Sequence, residues 1–165
     1  FKQQLSLYLA GNVQAALAGL KANKKNKIYF KPVHKFCGLD YLTLVNCPVY
    51  LDKKYGEVID LTAKEMEILA AEQIVKNMVP FRGIEISILR NALGLSYESF
   101  ARVFKLSSAA VFKWEKARYD YVSLPNDLMI RLFASEELGC DIEKDFSKLS
   151  KIETPSQPIA FEIAA

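Results

Sequence analysis

Residues 95 to 116, LSYESFARVFKLSSAAVFKWEK, decide how the rest of the chain is read. Ser96 stands before a segment with Glu98 in its first turn and apolar side chains at Phe100, Val103 and Phe104. That is helical spacing after a residue whose hydroxyl can accept from a free helix-start amide. Ser107 repeats the signal before Ala110, Val111 and Trp114. One helix must stop and a second begin across Lys105, Leu106 and Ser107, which requires a sharp turn. Phe100, Phe104, Val111 and Trp114 are expected in the core, while the outer face of the second helix, Ser108, Ala109, Phe112 and Lys113, is expected to stay free. Phe112 is the ambiguous member, because its burial would shrink the outer set to the other three. Two short helices joined this way are the arrangement that lays one helix in a DNA major groove.

Working outward, the pattern predicts a helix over Ile84 to Leu93, with Ile84, Ile88, Leu89 and Ala92 inside and Gly94 just past its end. Downstream, residues 117 to 124 read as a loop carrying Arg118, Tyr119, Asp120 and Tyr121. Pro125 suits the first position of a further helix, lined by Leu128, Met129, Leu132 and Phe133 and ended by Gly139. Residues 81 to 139 therefore make an all-α domain. Ahead of it, Thr62-Ala63-Lys64-Glu65 is a capping box that opens a linking helix within residues 61 to 80. Met66, Leu69, Ala70, Ile74 and Met78 mark its apolar face.

From Ile28 the period changes to short β-rich runs: Ile28 to Phe30, Tyr41 to Val45, Val49 to Leu51 and Glu57 to Ile59. Tyr41, Thr43 and Val45 are expected to face one way and Leu42 and Leu44 the other. Pro32 and Pro48 are expected at edges or strand ends, since neither can donate to a ladder. A small antiparallel meander results, too small to stand without a helix or second subunit against it. Residues 1 to 22 carry Leu5, Leu9, Val13, Ala16, Leu17 and Leu20 at helical steps, either as a packing helix or as a partner-binding one. Residues 140 to 165 form an extension, expected to be extended beyond Ser147, with Ile159, Phe161 and Ile163 available to add a strand to an edge. The expected fold is α+β: an N-terminal module of a helix and a small antiparallel sheet (1–60), a linking helix (61–80), the all-α domain (81–139) and the extension (140–165).

Composition narrows the function classes. The chain has 165 residues and is 51% apolar, enough for a core, yet no apolar run approaches the roughly 18 residues of a membrane span. The first residues lack a basic start and a small-residue cleavage site, so a cytoplasmic protein is expected. Three widely spaced cysteines, 37, 47 and 140, fit a reducing compartment rather than a disulfide framework. His34, Cys37 and Cys47 offer three zinc ligands where a structural site closes with four, so no metal and no cofactor are expected. The single His34 and the lack of a glycine-rich phosphate loop leave no catalytic constellation to assemble, and no enzyme is expected. Net charge is +3, and residues 1 to 60 carry nine lysines against four acids. That basic third is read as a solvated face in preference to a phosphate-binding one.

The run LRNALGLSYESFARVFKLSSAAVFKWEK resembles the Cro/Xre-type helix-turn-helix of bacterial and phage repressors, with Arg90, Gly94, Leu95, Ser96, Ala101, Val111, Trp114 and Glu115 at matching positions. The wider layout is similar to MqsA-like antitoxins, on GLDYLTLVNCPVY and GEVIDL, although the paired zinc cysteines of that class are absent here. The resemblance implies a dimeric, DNA-binding repressor that regulates its own gene, with double-stranded DNA, a second copy of the chain and a cognate toxin as partners and no membrane partner. Many relatives have glutamine where this chain has Tyr97 and glycine where it has Lys105. On this reading Ser108, Ala109, Phe112 and Lys113 face bases, Lys113 donating to guanine and Ala109 and Phe112 meeting thymine methyl groups. Ser96, Tyr97, Lys105, Ser107, Arg118 and Tyr119 hold phosphates, and Leu128, Met129, Leu132 and Phe133 form the dimer surface. The alternative is an interaction module that neutralises a toxin through its N-terminal 60 residues or its tail, with DNA binding secondary.

Overall fold

The structure is a computed structural model that describes residues 27–143 and 146–163. The helix expected over residues 1–22 lies outside the described residues. The chain divides into two compact units, one reaching Met66 and resuming at Gln157, the other spanning Glu67–Ser156. Among the described residues the fold is mixed α and β, a four-stranded sheet and six helices, with three strands ahead of the helices and one after them.

The first unit is built on its second strand. β1 (Ile28–His34) and β2 (Leu42–Asp52) pair antiparallel, and β2 pairs antiparallel with β3 (Gly56–Ile59). The meander is thus as expected, but the two runs expected at Tyr41 to Val45 and Val49 to Leu51 are one strand that passes through Pro48. Proline is tolerated there because its carbonyl accepts from Asp60 N at 2.8 Å, where the β3 ladder ends, so the missing amide forfeits only a terminal bond. Pro32 sits at an irregularity where the register shifts: Lys31 pairs with Cys47 but Val33 with Leu44, which leaves one extra residue on β2. The bulge reverses which parity faces inward, and this explains why Leu42 and Leu44 are buried before it but Cys47 and Val49 after it. Thr43 and Val45 lie on the face opposite Leu42 and Leu44, as expected, half-buried and exposed respectively, while Tyr41, ahead of the strand and expected on their side, is buried.

β1 occupies one edge of β2 over residues 43–50, so β3 on 49–52 and β4 (Ile159–Phe161) on 42–44 must share the other edge end to end. The strand expected from the tail is therefore present. It runs parallel to β2, a departure from a purely antiparallel sheet. Asn46, in the bulge, extends the pairing with its side-chain amide, accepting from Ile163 N at 2.8 Å and donating to Ile163 O at 3.0 Å. A 3₁₀ turn (Phe36–Gly38) places Phe36 edge-on to Phe161 at 5.6 Å, and with Leu39, Leu42 and Leu44 these rings fill the core. On the surface, Glu57 binds Lys31 and accepts from the Tyr29 hydroxyl at 2.6 Å, while Lys35 pairs with Asp40 at 3.1 Å. These partners satisfy lysines of the basic third within the unit.

α1 (Ala63–Lys76) opens on the expected capping box: Thr62 N donates to Glu65 Oε2 at 2.7 Å and Glu65 N to Thr62 Oγ1 at 3.2 Å. Its buried face is Ile68, Ala70, Ala71, Ile74 and Val75. Ala70 and Ile74 are inside as expected, whereas Met66 and Leu69 are only half-buried and Met78 lies past the helix end at Lys76, turned left-handed with φ 54°. α2 (Gly83–Ala92), α3 (Tyr97–Val103), α4 (Ser108–Lys116), α5 (Leu124–Leu138) and the short α6 (Phe146–Leu149) complete the second unit. Pro125 falls in the first turn of α5, and Gly139 ends that helix with φ 66°.

The inner stripe of α5 differs from expectation. Ile130, Ala134 and Leu138 are buried together with Asp127 and Arg131, and the sequence pattern missed the charged pair. Arg131 donates to Asp127 Oδ1 at 3.0 and 2.8 Å, to Val79 O at 2.6 Å and to Ile74 O at 3.3 Å, and stacks 4.1 Å from the Phe81 ring. Asp127 also accepts from Phe81 N at 2.7 Å. A buried guanidinium is tolerated because Asp127 and the carbonyls at and just past the C-terminal end of α1, Ile74 O and Val79 O, supply its acceptors. Leu128 and Phe133 are half-buried, and Met129 and Leu132 are exposed.

Candidate functional site

Both serine caps form as the sequence implies. Ser96 Oγ accepts from Ser99 N and Ser107 Oγ from Ala110 N, each at 3.1 Å, so α3 and α4 begin where read. Between them Lys105 adopts φ 54°, the left-handed conformation expected at a position where glycine would be strain-free, at a cost of roughly 1 kcal/mol. Phe100 and Ala101 of α3, Phe104 just past its end and Val111 of α4 are buried. Phe104 meets Phe100 at 4.9 Å and Phe133 of α5 at 5.4 Å. Trp114, expected in the core, is only half-buried, and Val103, which follows the helical spacing of Phe100 and Phe104, is 45% exposed.

A three-membered polar link holds α4 to α2 and α3. Arg90 donates to both oxygens of Glu115, at 2.6 and 3.0 Å, and to Leu95 O at 2.9 Å. The Tyr97 hydroxyl, expected at a phosphate, donates to Glu115 Oε2 at 3.0 Å, and its ring lies 4.2 Å from the Arg90 guanidinium. The hydrogen bond to Glu115 raises the Arg90 pKa, and burial followed by the same carboxylate raises that of Tyr97. Both groups therefore keep their protons across the physiological range. The start of α2 approaches α4 closely: a Cβ at Gly83 would collide with the Trp114 carbonyl oxygen and come within 2.9 Å of Ala117 O.

The outer face of α4 is open. Ala109, Phe112 and Lys113 are exposed and Ser108 partly so. Phe112 is 48% exposed, which keeps it in the outer set, but its ring is not loose. It stands edge-on to Tyr97 at 5.8 Å, with Lys116 Nζ 5.8 Å from its centre. An open depression of about 500 Å³ beside the turn is lined by Glu98, Arg102, Lys105 and Ser108. A second, of about 200 Å³, is lined by Tyr97, Phe112, Lys116 and Arg118. Arg118 and Tyr119 are exposed and stacked at 6.0 Å, and the Tyr121 hydroxyl meets Thr154 Oγ1 at 2.8 Å. Arg102, Lys116 and the ring pair of Tyr97 and Phe112 escaped the sequence reading. Arg102 and Lys116 carry no local mark beyond charge, and the ring pair joins residues fifteen positions apart on different helices.

In the first unit, His34 Nδ1 meets Thr43 Oγ1 at 3.1 Å, Cys37 Sγ donates to Met66 O at 3.4 Å, and Cys47 is buried. Burial pushes the Cys47 and Cys140 thiols up to about 11, so both remain protonated. Among the described residues no cluster of three or more histidine, cysteine or acidic side chains is gathered for a metal, and no helix is long and apolar enough to cross a membrane. Comparison with protein-family models, with curated proteins and with solved structures finds no match to this chain.

Proposed function

We propose that the chain is a sequence-specific DNA-binding regulator whose α3 and α4 form a helix-turn-helix of Cro/Xre type, acting as a dimer on a palindromic operator and repressing its own gene. The observation that carries this reading is the pairing of two serine-capped helices across the left-handed Lys105, with the inner side of α4 locked by Val111 and Glu115 and its outer side left open. Helix α4 then enters the major groove, with Ser108, Ala109, Phe112 and Lys113 toward base edges. Lys105, Arg118 and Tyr119 hold phosphates, as do the serines at the two helix starts, whose side chains also cap. Tyr97 is already bonded to Glu115 and is the weakest of the phosphate candidates. The outer face of α5, with Leu124, Met129 and Leu132 exposed at 40, 39 and 59%, supplies the dimer surface, to which Leu128 and Phe133 contribute. Few of these side chains can make bidentate base contacts, so a half-site binds modestly and the dimer supplies the rest. Gel shift on the protein's own promoter tests this: Lys113→Ala weakens binding by about 1–3 kcal/mol. Equal binding by both proteins removes Lys113 from the reading set, and no binding by the wild type removes the proposal.

A second reading, neutralisation of a toxin by the first unit, is favoured by the apolar side chains that unit leaves exposed: Phe30 and Leu51 at 63% and Tyr55 at 71%. Co-expression with the product of the neighbouring gene tests it. A stable complex that Phe30→Ser disrupts is the expected result, and separate elution of the two proteins rejects it.

A further inference from the structure

The exposed face of α4 is short of hydrogen-bonding groups but carries one large apolar side chain that is held from behind. Phe112 stands edge-on to Tyr97, and Tyr97 is fixed by its hydroxyl on Glu115 and by the Arg90 guanidinium over its ring. Ala109 lies one helical turn away on the same side and is exposed. A side chain already ordered before binding loses little rotamer freedom on contact, so an apolar contact made by this ring retains more of its free energy than one made by a loose side chain. In the major groove the apolar group that distinguishes one base from the others is the C5-methyl of thymine.

Resting on the DNA-binding reading above, we infer that Tyr97 is a positioning residue that aims Phe112, and that discrimination by α4 depends chiefly on one thymine methyl group in each half-site, met by the Phe112 ring with Ala109 beside it. Burying one methyl contributes about a fourfold preference for thymine over uracil, which lacks only that group, and two half-sites multiply to roughly fifteenfold. Tyr97→Phe keeps the ring and so keeps the preference. Tyr97→Leu removes the edge-on partner and lowers it, an effect that a general loss of stability, weakening both duplexes alike, does not produce.

The test begins with a duplex selected from a random-sequence pool by the full chain, then synthesised with thymidine or with deoxyuridine. The wild type and Tyr97→Phe are expected to bind the thymine duplex about fifteenfold more tightly, whereas Phe112→Ala and Tyr97→Leu show a ratio near twofold or below. Equal binding of the two duplexes by the wild type overturns the inference while leaving DNA binding intact. A full preference retained by Phe112→Ala overturns the role of that ring, and one retained by Tyr97→Leu overturns the positioning role. Failure to enrich any duplex instead rejects the DNA-binding reading on which the inference rests.

Discussion

Asp127 and Glu57 are both carboxylates beside a cation, yet burial gives them opposite effects on stability. Burial raises the Asp127 pKa above 3.8, and Arg131 and the Phe81 amide only partly offset it. Between that value and the raised one the folded chain holds more protons than the unfolded chain, so this group's contribution falls as pH rises through the window. Glu57 is lowered below 4.5 by Lys31 first and Tyr29 second, so its contribution is present above 4.5 and is lost as pH falls through the folded value. Urea midpoints measured from about pH 3 to 7 should show Asp127→Asn and Glu57→Gln removing slopes of opposite sign. Arg131→Met should be far costlier, about 3–5 kcal/mol in urea unfolding, because it leaves Asp127 buried without its cation and takes a donor from the Val79 carbonyl. None of this was legible in the sequence. Asp127 and Arg131 sit four apart like any surface ion pair, and only the end of a distant helix makes their burial tolerable.

Among the elements, α2 to α5 were legible because their ends announce themselves chemically: Ser96, Ser107 and Gly139 mark starts and a stop by local bonding that needs no tertiary knowledge. Ser107→Ala should therefore cost about 1 kcal/mol of stability in urea unfolding, as a lost cap does. The inward faces were harder to read. Val103 followed the helical period yet faces solvent, since α3 is only seven residues long and one stripe of Phe100, Ala101 and Phe104 suffices to pack it. β2 was divided in two because Pro48 reads as a strand end, and the bulge that moves the buried side chains from even to odd positions hides the continuity of the strand. Gly83, one residue ahead of the helix expected from Ile84, carries a constraint that the helical period does not show, the closeness of the Trp114 carbonyl. Gly83→Ala should cost about 1–3 kcal/mol in the same measurement, the usual penalty for overpacking, and should weaken DNA binding by shifting α4. Of the candidate site, the outer residues of α4 were visible from the helical period, but the ring contact that holds Phe112 joins two helices and was not.

At the scale of the whole molecule, the α5 surface should decide the oligomeric state. Leu132 is 59% exposed, so Leu132→Glu should barely alter stability; on the dimeric, DNA-binding function proposed above it should also lower the native mass from dimer to monomer and weaken operator binding. An unchanged mass would move the interface elsewhere. The division into units follows from the return of the chain as β4, where Phe161 packs on Phe36 beside the strand that Leu42 begins. In connectivity the helical unit is thus an insertion within the sheet unit, entered through α1 and left before Ile159. Synthesis on a ribosome runs from the N-terminus, and domains generally fold as units once their residues are available. The helical unit, complete by Ser156, can fold while the sheet unit that precedes it in sequence still waits for Phe161, so the part made first is the part finished last.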